Sequence, residues 1–169
     1  MRKRILVTFA ILALLVTACD DGNLQIETLD FDSVSAESCD SPITTSTSIF
    51  FKINGDEVLI LDLASGLLAN QVTEAPRTSS FPTNSSLTYR IFNGSVSSSY
   101  FCDDIPPISP IVIEEIQASA GTVMVSTSSE DGVTFTHTIE LEGVTLLNGT
   151  NERITDLSIN EFGTVTTTN

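Results

Sequence analysis

Val133-Thr134-Phe135-Thr136-His137-Thr138-Ile139-Glu140-Leu141-Glu142 alternates without interruption. Val, Phe, His, Ile and Leu take one set of positions, and Thr and Glu take the other. Successive side chains of a strand point to opposite faces, so the stretch predicts a strand with one buried and one wet face. Turn-forming residues bound it. Ser128-Ser129-Glu130-Asp131-Gly132 precedes it and Gly143 breaks it; residues 144–147 start another strand, which Asn148-Gly149 turns. Residues 153–159 read as a weaker last strand. Upstream, residues 111–116 and 122–127 flank a turn at Ser119-Ala120-Gly121.

The first half repeats the theme. Apolar residues spaced by polar ones open a strand over residues 24–31. Ile49-Phe50-Phe51-Lys52-Ile53 and Glu57-Val58-Leu59-Ile60-Leu61 flank Asn54-Gly55-Asp56, and Asn-Gly tolerates the positive φ of a tight hairpin. Residues 87–92 form the next strand, with Asn93-Gly94 turning into another over residues 96–101. Three prolines in Ile105-Pro106-Pro107-Ile108-Ser109-Pro110 remove donors, which predicts a crossover between two groups of strands. Residues 62–73 offer a helical turn or two around Leu63, Leu67 and Leu68, weakened by Gly66. Roughly eight to ten strands with frequent turns define an all-β fold: an antiparallel sandwich of Ig-like or Greek-key type, with a small β-barrel as the alternative.

Composition excludes several functions. The 169 residues carry 22 acids against 7 bases, a formal charge of −15. That balance opposes nucleic-acid binding, which needs clustered Lys and Arg, and electrostatic docking on anionic lipid. A 41% hydrophobic content is too high for a disordered acidic tail.

The first nineteen residues supply an address. Met1-Arg2-Lys3-Arg4 is basic, and residues 5–16 are apolar except for Thr8. As a helix that run would be about 18 Å long, short of the roughly 30 Å of a bilayer core, so it fits a secretory signal and not a span. Val16-Thr17-Ala18-Cys19 follows and resembles the bacterial lipobox. The resemblance implies cleavage after Ala18 and a diacylglyceryl group on the Cys19 thiol. Two or more acyl chains give stable membrane attachment. Residues 1–18 would then be the signal peptide, 19–23 a lipidated tether, 24–163 a single all-β domain and 164–169 a flexible tail. Removing the signal leaves 151 residues, with Lys52, Arg77, Arg90 and Arg153 against all 22 acids, a charge of −18. The chain looks like the small β-rich lipoproteins of Bacteroidetes-type envelopes, anchored to the outer membrane with either face open. That family lends no catalytic residues.

With Cys19 lipidated, Cys39 and Cys102 are left, and outside the cytoplasm two such thiols usually pair. A disulfide is expected; free thiols or a metal pair are the alternatives, and no CxxC or Cys/His spacing serves the latter.

Chemistry-bearing residues are few. His137 is the single histidine, and its register places it on the apolar side of its strand, as a hydrogen-bonded core or rim imidazole and not a catalyst. Asp103-Asp104 are the best contributors to a calcium site, which needs six to eight oxygens, about the number converging loops supply. Solvated charge is the plainer reading of all the adjacent acids. Paired carboxylates for glycoside hydrolysis are set in space and not in sequence. Phe50/Phe51 and Tyr100/Phe101 would each point one ring outward. Asn84-Ser85-Ser86, Asn93-Gly94-Ser95 and Asn148-Gly149-Thr150 match glycosylation acceptors but serve as turns, while Asp32-Ser33-Val34 resembles the short O-glycosylation site of Bacteroidetes envelope proteins. The expectation is a lipid-anchored envelope module that binds a protein or glycan or acts structurally, without cofactor. A carboxylate hydrolase and a calcium-stabilised adhesion domain are the alternatives.

Overall fold

The computed structural model describes Leu29, residues 31–147, the strand Arg153–Ile154 and residues 160–169. The expected signal peptide and tether, Cys19, the expected Asn148-Gly149 turn and most of the strand expected at 24–31 lie outside the described residues. Eight strands are described: β1 (Ile49–Asn54), β2 (Glu57–Asp62), β3 (Arg77–Ser80), β4 (Ser86–Phe92), β5 (Val112–Ser128), β6 (Thr134–Leu147), β7 (Arg153–Ile154) and β8 (Glu161–Thr168). One helical turn, α1 (Ser99–Cys102), interrupts them.

All eight strands join one antiparallel sheet in the order β1-β2-β4-β5-β6-β7, with β3 added to β5 and β8 to β6. The all-β reading holds. The sheet curls into a half-barrel, so it approaches the barrel arrangement. Its curl is built into β5. The first part of this strand pairs with β4 from Val112 to Gln117, and the second pairs with β3 from Thr122 to Val125. Between them the register with β6 shifts twice, around Ala120. Bulges bend a strand and increase its twist. At the bend, Gly121 has φ +131°, and a Cβ there would meet the Val144 Cα at 2.9 Å and the Phe81 ring at 3.2 Å. The backbones of β5 and β6 therefore approach too closely for any side chain.

The concave face encloses the main core. Phe50, Leu59, Leu61, Leu87, Tyr89 and Ile116 come from one half of the sheet, and Val123, Val125, Ile139, Leu141, Phe162 and Val165 from the other. Leu29, Phe31, Leu63, Leu67 and Leu68 fill it from loops. A second cluster lies on the convex side of β1, β2 and β4, where Phe51, Val58 and Phe92 are covered by Val96, Tyr100 and Phe101.

The segment before β1 nearly closes the curl. Glu37 bridges to Phe51 on the free edge of β1. One residue earlier, Ala36 packs against Gly163 of β8 so tightly that a Cβ on Gly163 (φ +152°) would stand 2.9 Å from the Ala36 Cβ. Residues 31–37 thus lie in the seam between the first and last strands.

Several local expectations are corrected. Gly121 and Gly143 do not end strands, because glycine inside a strand also marks bulges and bends; β5 and β6 run through them for 17 and 14 residues. Residues 96–101 form no strand; their end is α1, folded so that Phe101 stacks on Phe51 at 4.8 Å and Tyr100 meets Phe92 edge-on at 4.9 Å. Neither pair of adjacent aromatics leaves a ring fully outside, since Phe50 and Phe51 are buried on opposite faces. The proline segment links β4 to β5, which are paired neighbours, so it is no crossover between strand groups. Residues 62–73 hold turns and no helix, although Leu63, Leu67 and Leu68 are buried. The tail expected at 164–169 is instead most of β8, pinned to β6 from Thr134 to Glu140 with Val165 and Thr167 buried.

Candidate functional site

Lys52 is the residue that the fold treats least like its type. It follows Phe50 by two positions, so its side chain enters the concave face, and it is 4% exposed. Its ammonium lies 6.0 Å from the centroid of the fully buried Phe162 ring, a cation–π distance. Burial lowers its pKa from the usual lysine value, and the charges of Asp32 and Glu161 oppose that fall. Among the described residues no carboxylate lies within ion-pair distance of it; the one such pair joins Arg90 to Glu115.

Above Lys52 opens a cleft of about 560 Å³, lined by Asp32, Val34, Ser35, Ala36, Lys52, Asn160, Glu161, Gly163 and Thr164. This volume suits a small ligand or one unit of a polymer. The cleft is the seam itself. The segment of residues 32–36 supplies one wall, β8 the other and β1 the floor. Chemically it offers one cationic donor, two carboxylates, and the hydroxyls and amide of Ser35, Thr164 and Asn160.

His137 stands apart from this cleft, within a closed polar network. Nδ1 is 2.9 Å from Thr127 Oγ1 and Nε2 is 2.8 Å from Thr167 Oγ1. Arg77 Nη1 donates to Thr127 Oγ1, and the Thr167 hydroxyl donates to Asn70 Oδ1. These end points fix every proton between them. Thr167 has spent its proton on Asn70, so it accepts from Nε2–H. Thr127 accepts from Arg77 and donates to Nδ1. The imidazole is therefore the neutral Nε2–H tautomer, and burial together with the Arg77 charge lowers its pKa. With both nitrogens engaged and no exposure, His137 secures the loop before β3 to β5, β6 and β8. It has no access to substrate.

The remaining sequence candidates are dispersed. Cys39 and Cys102 are joined as a disulfide, which ties the segment before β1 to the end of α1. Asp103 and Asp104 follow α1 and are exposed; among the described residues no three or more His, Cys, Asp or Glu side chains converge as metal ligands. Asp131 is engaged in its own hairpin, where Oδ1 accepts from the amides of Val133 and Thr134 at 2.8 and 2.7 Å, and these bonds lower its pKa. Asn93 accepts from the Ile111 amide through Oδ1, consistent with a turn. Asp32 and Ser33 are exposed in a turn beside the cleft. Sequence reading missed Lys52 and Glu161 as site residues. The available signal was a lysine in register with Phe50 on a strand whose inner neighbours are apolar, with Leu59 opposite Lys52 and Leu61 opposite Phe50.

Compared with protein families, curated proteins and solved structures, the chain matches none.

Proposed function

We propose that this chain is a lipid-anchored protein of a bacterial cell envelope, most readily the outer membrane, whose all-β domain binds a polar ligand in the seam cleft. The location rests on the basic start, short apolar run and lipobox ending at Cys19. The binding role is carried by one observation: a lysine buried at the floor of the cleft, with a lowered pKa and, among the described residues, no carboxylate within ion-pair distance. Burying an ammonium costs stability unless something compensates it, so such a residue signals use. An acceptor oxygen from a ligand would complete its coordination. Donors on the same ligand would meet Asp32 and Glu161. A sugar unit of an envelope glycan presents both kinds of group at the scale of the cleft.

Titration of the lipidated protein in detergent with envelope-derived oligosaccharides tests this reading. Saturable heat with wild type, lost in Lys52→Met, supports it; equal binding by the variant refutes the site.

A second reading has its own support, because Asp32 and Glu161 line the same cleft. Two carboxylates across a sugar are the equipment of a glycosidase. Release of reducing ends, abolished in both Asp32→Asn and Glu161→Gln, would favour hydrolysis over binding alone.

A further inference from the structure

The segment from the end of α1 into the first residues of β5 breaks the usual rule for a protein surface. Ile105, Ile108, Ile111 and Ile113 are 85%, 96%, 56% and 62% exposed, and Pro106 and Pro107 between them are exposed as well. Single exposed apolar residues are ordinary, but four large ones within nine positions are a local concentration of the kind that marks contact surfaces. The loop is also held from both ends. The Cys39–Cys102 disulfide fixes its start, and Asn93 clamps its end by donating its amide to the Ile111 carbonyl at 3.0 Å and accepting from the Ile111 amide at 2.9 Å. Three prolines stiffen the span between.

Its place in the sheet identifies the contact. Asn93 follows directly on Phe92, whose amide bonds to the Asp56 carbonyl in the β1–β2 turn, so the loop stands at the hairpin-tip end of the sheet. The incoming chain approaches β1 from that side. Glu37 pairs antiparallel with Phe51, so residues before it run toward the Asn54 end of β1. Phe31 meets Tyr89 edge-on at 6.3 Å, and Tyr89 sits in the row Lys52–Leu59–Tyr89, two residues from the tip row Asn54–Glu57–Ile91. Cys19 precedes Leu29 by ten residues, a reach of at most about 35 Å. That length is enough to bring Cys19 to the end of the sheet where the isoleucine loop stands.

We infer that the Ile105–Ile113 loop rests in the interface of the same membrane that holds the Cys19 lipid, giving the domain a fixed orientation with the opposite end of the sheet outward. This inference deepens the lipid-anchor reading and rests on it. Amphiphilic elements of this kind bury apolar side chains at the boundary of headgroups and acyl chains. Asp103 and Asp104 before the loop, and Glu114 and Glu115 after it, select a zwitterionic surface and disfavour an anionic one.

The chain contains no tryptophan, which gives a clean reporter. Lipidated full-length Ile108→Trp, with Ile105→Trp as a second probe and Val133→Trp as the comparison, is reconstituted into phosphatidylcholine vesicles carrying brominated acyl chains. Val133 is 55% exposed in the β5–β6 turn, at the far end of β5 from Val112. The loop probes should shift to the blue and lose intensity to bromine, while the Val133→Trp signal stays unchanged. Adding anionic lipid should weaken the quenching. Protein that sediments with vesicles but shows no quenching at either loop probe overturns the docking inference alone. Failure to sediment overturns the anchor. Equal quenching at Val133→Trp rejects a fixed orientation. A blue shift that grows with protein concentration in the absence of vesicles assigns the patch to a second copy of the chain instead.

Discussion

The hydroxyl of Thr127 lies 2.9 Å from Nδ1 of His137 and is itself reached by Arg77 at 3.1 Å. On the other side of the ring Thr167 gives its proton to Asn70 and accepts from Nε2–H, so in the neutral imidazole Thr127, held by Arg77, donates to Nδ1. Protonating Nδ1 would turn the Thr127 proton away from its acceptor and place a second cation near Arg77. The depressed pKa follows from that arrangement and from burial.

The consequence is acid sensitivity. Between the lowered folded pKa and the ordinary value near 6.5, the unfolded chain binds the proton and the folded chain does not. This part of the stability is complete above about pH 6.5 and lost as the pH falls through the folded pKa. Nitrogen-15 NMR of the untagged protein, whose single histidine needs no assignment, should show a neutral Nε2–H ring that does not titrate near 6.5. A ring titrating normally would contradict the network.

Gly163 gives a test of the seam. Gly163→Ala must displace Ala36, since the added carbon would sit 2.9 Å from the Ala36 Cβ, and it also meets strain at φ +152°. We expect a loss of about 1–3 kcal/mol, of the order found for overpacking and backbone strain. Amide exchange should speed up at residues 34–37, next to the altered seam. Unchanged exchange there would mean that the segment does not depend on β8.

Lys52→Met should stabilise the domain while it removes ligand binding. The folded pKa of Lys52 is below its unfolded value, so at neutral pH the unfolded state holds the proton more favourably and the charge costs stability, relieved as pH rises through the folded pKa. A gain of roughly 1 kcal/mol corresponds to about 2–4 °C in Tm for a domain of this size. A lower Tm would show that Asp32 and Glu161 outweigh the burial.

The three cysteines divide into two experiments. Non-reducing intact mass should show Cys39 and Cys102 short of two hydrogens, and replacing both with Ala should cost up to about 4 kcal/mol for a link 63 residues apart. Cys19→Ala should leave the membrane fraction or accumulate as precursor. Normal lipid labelling of that variant would refute the anchor.

The strands were legible where alternation is strict. Residues 134–142 and the Asn54-Gly55 hairpin follow directly from period and turn chemistry, and the inward placement of His137 follows from the same register. Legibility failed where bulges break the period. In β8, Glu161 lies opposite Glu140 and Gly163 opposite Ile139, so Phe162 is an extra residue and the alternation with Val165 and Thr167 is offset. Read in sequence, that strand looks like a threonine-rich tail. The cleft was hidden for a different reason. Asp32, Lys52 and Glu161 are separated by long stretches of chain and meet only because the sheet curls.

The disulfide also sets how the molecule would bear load. Traction from the amino-terminal side travels along residues 29–38 and reaches Cys39, where a covalent link diverts it to Cys102. β1 to β4, which lie between the two cysteines, would remain slack until that link is cut, while β5 to β8 beyond Cys102 take the load. A domain pulled from its amino-terminal side would therefore yield in its leading segment and its later strands before β1 to β4 unwind.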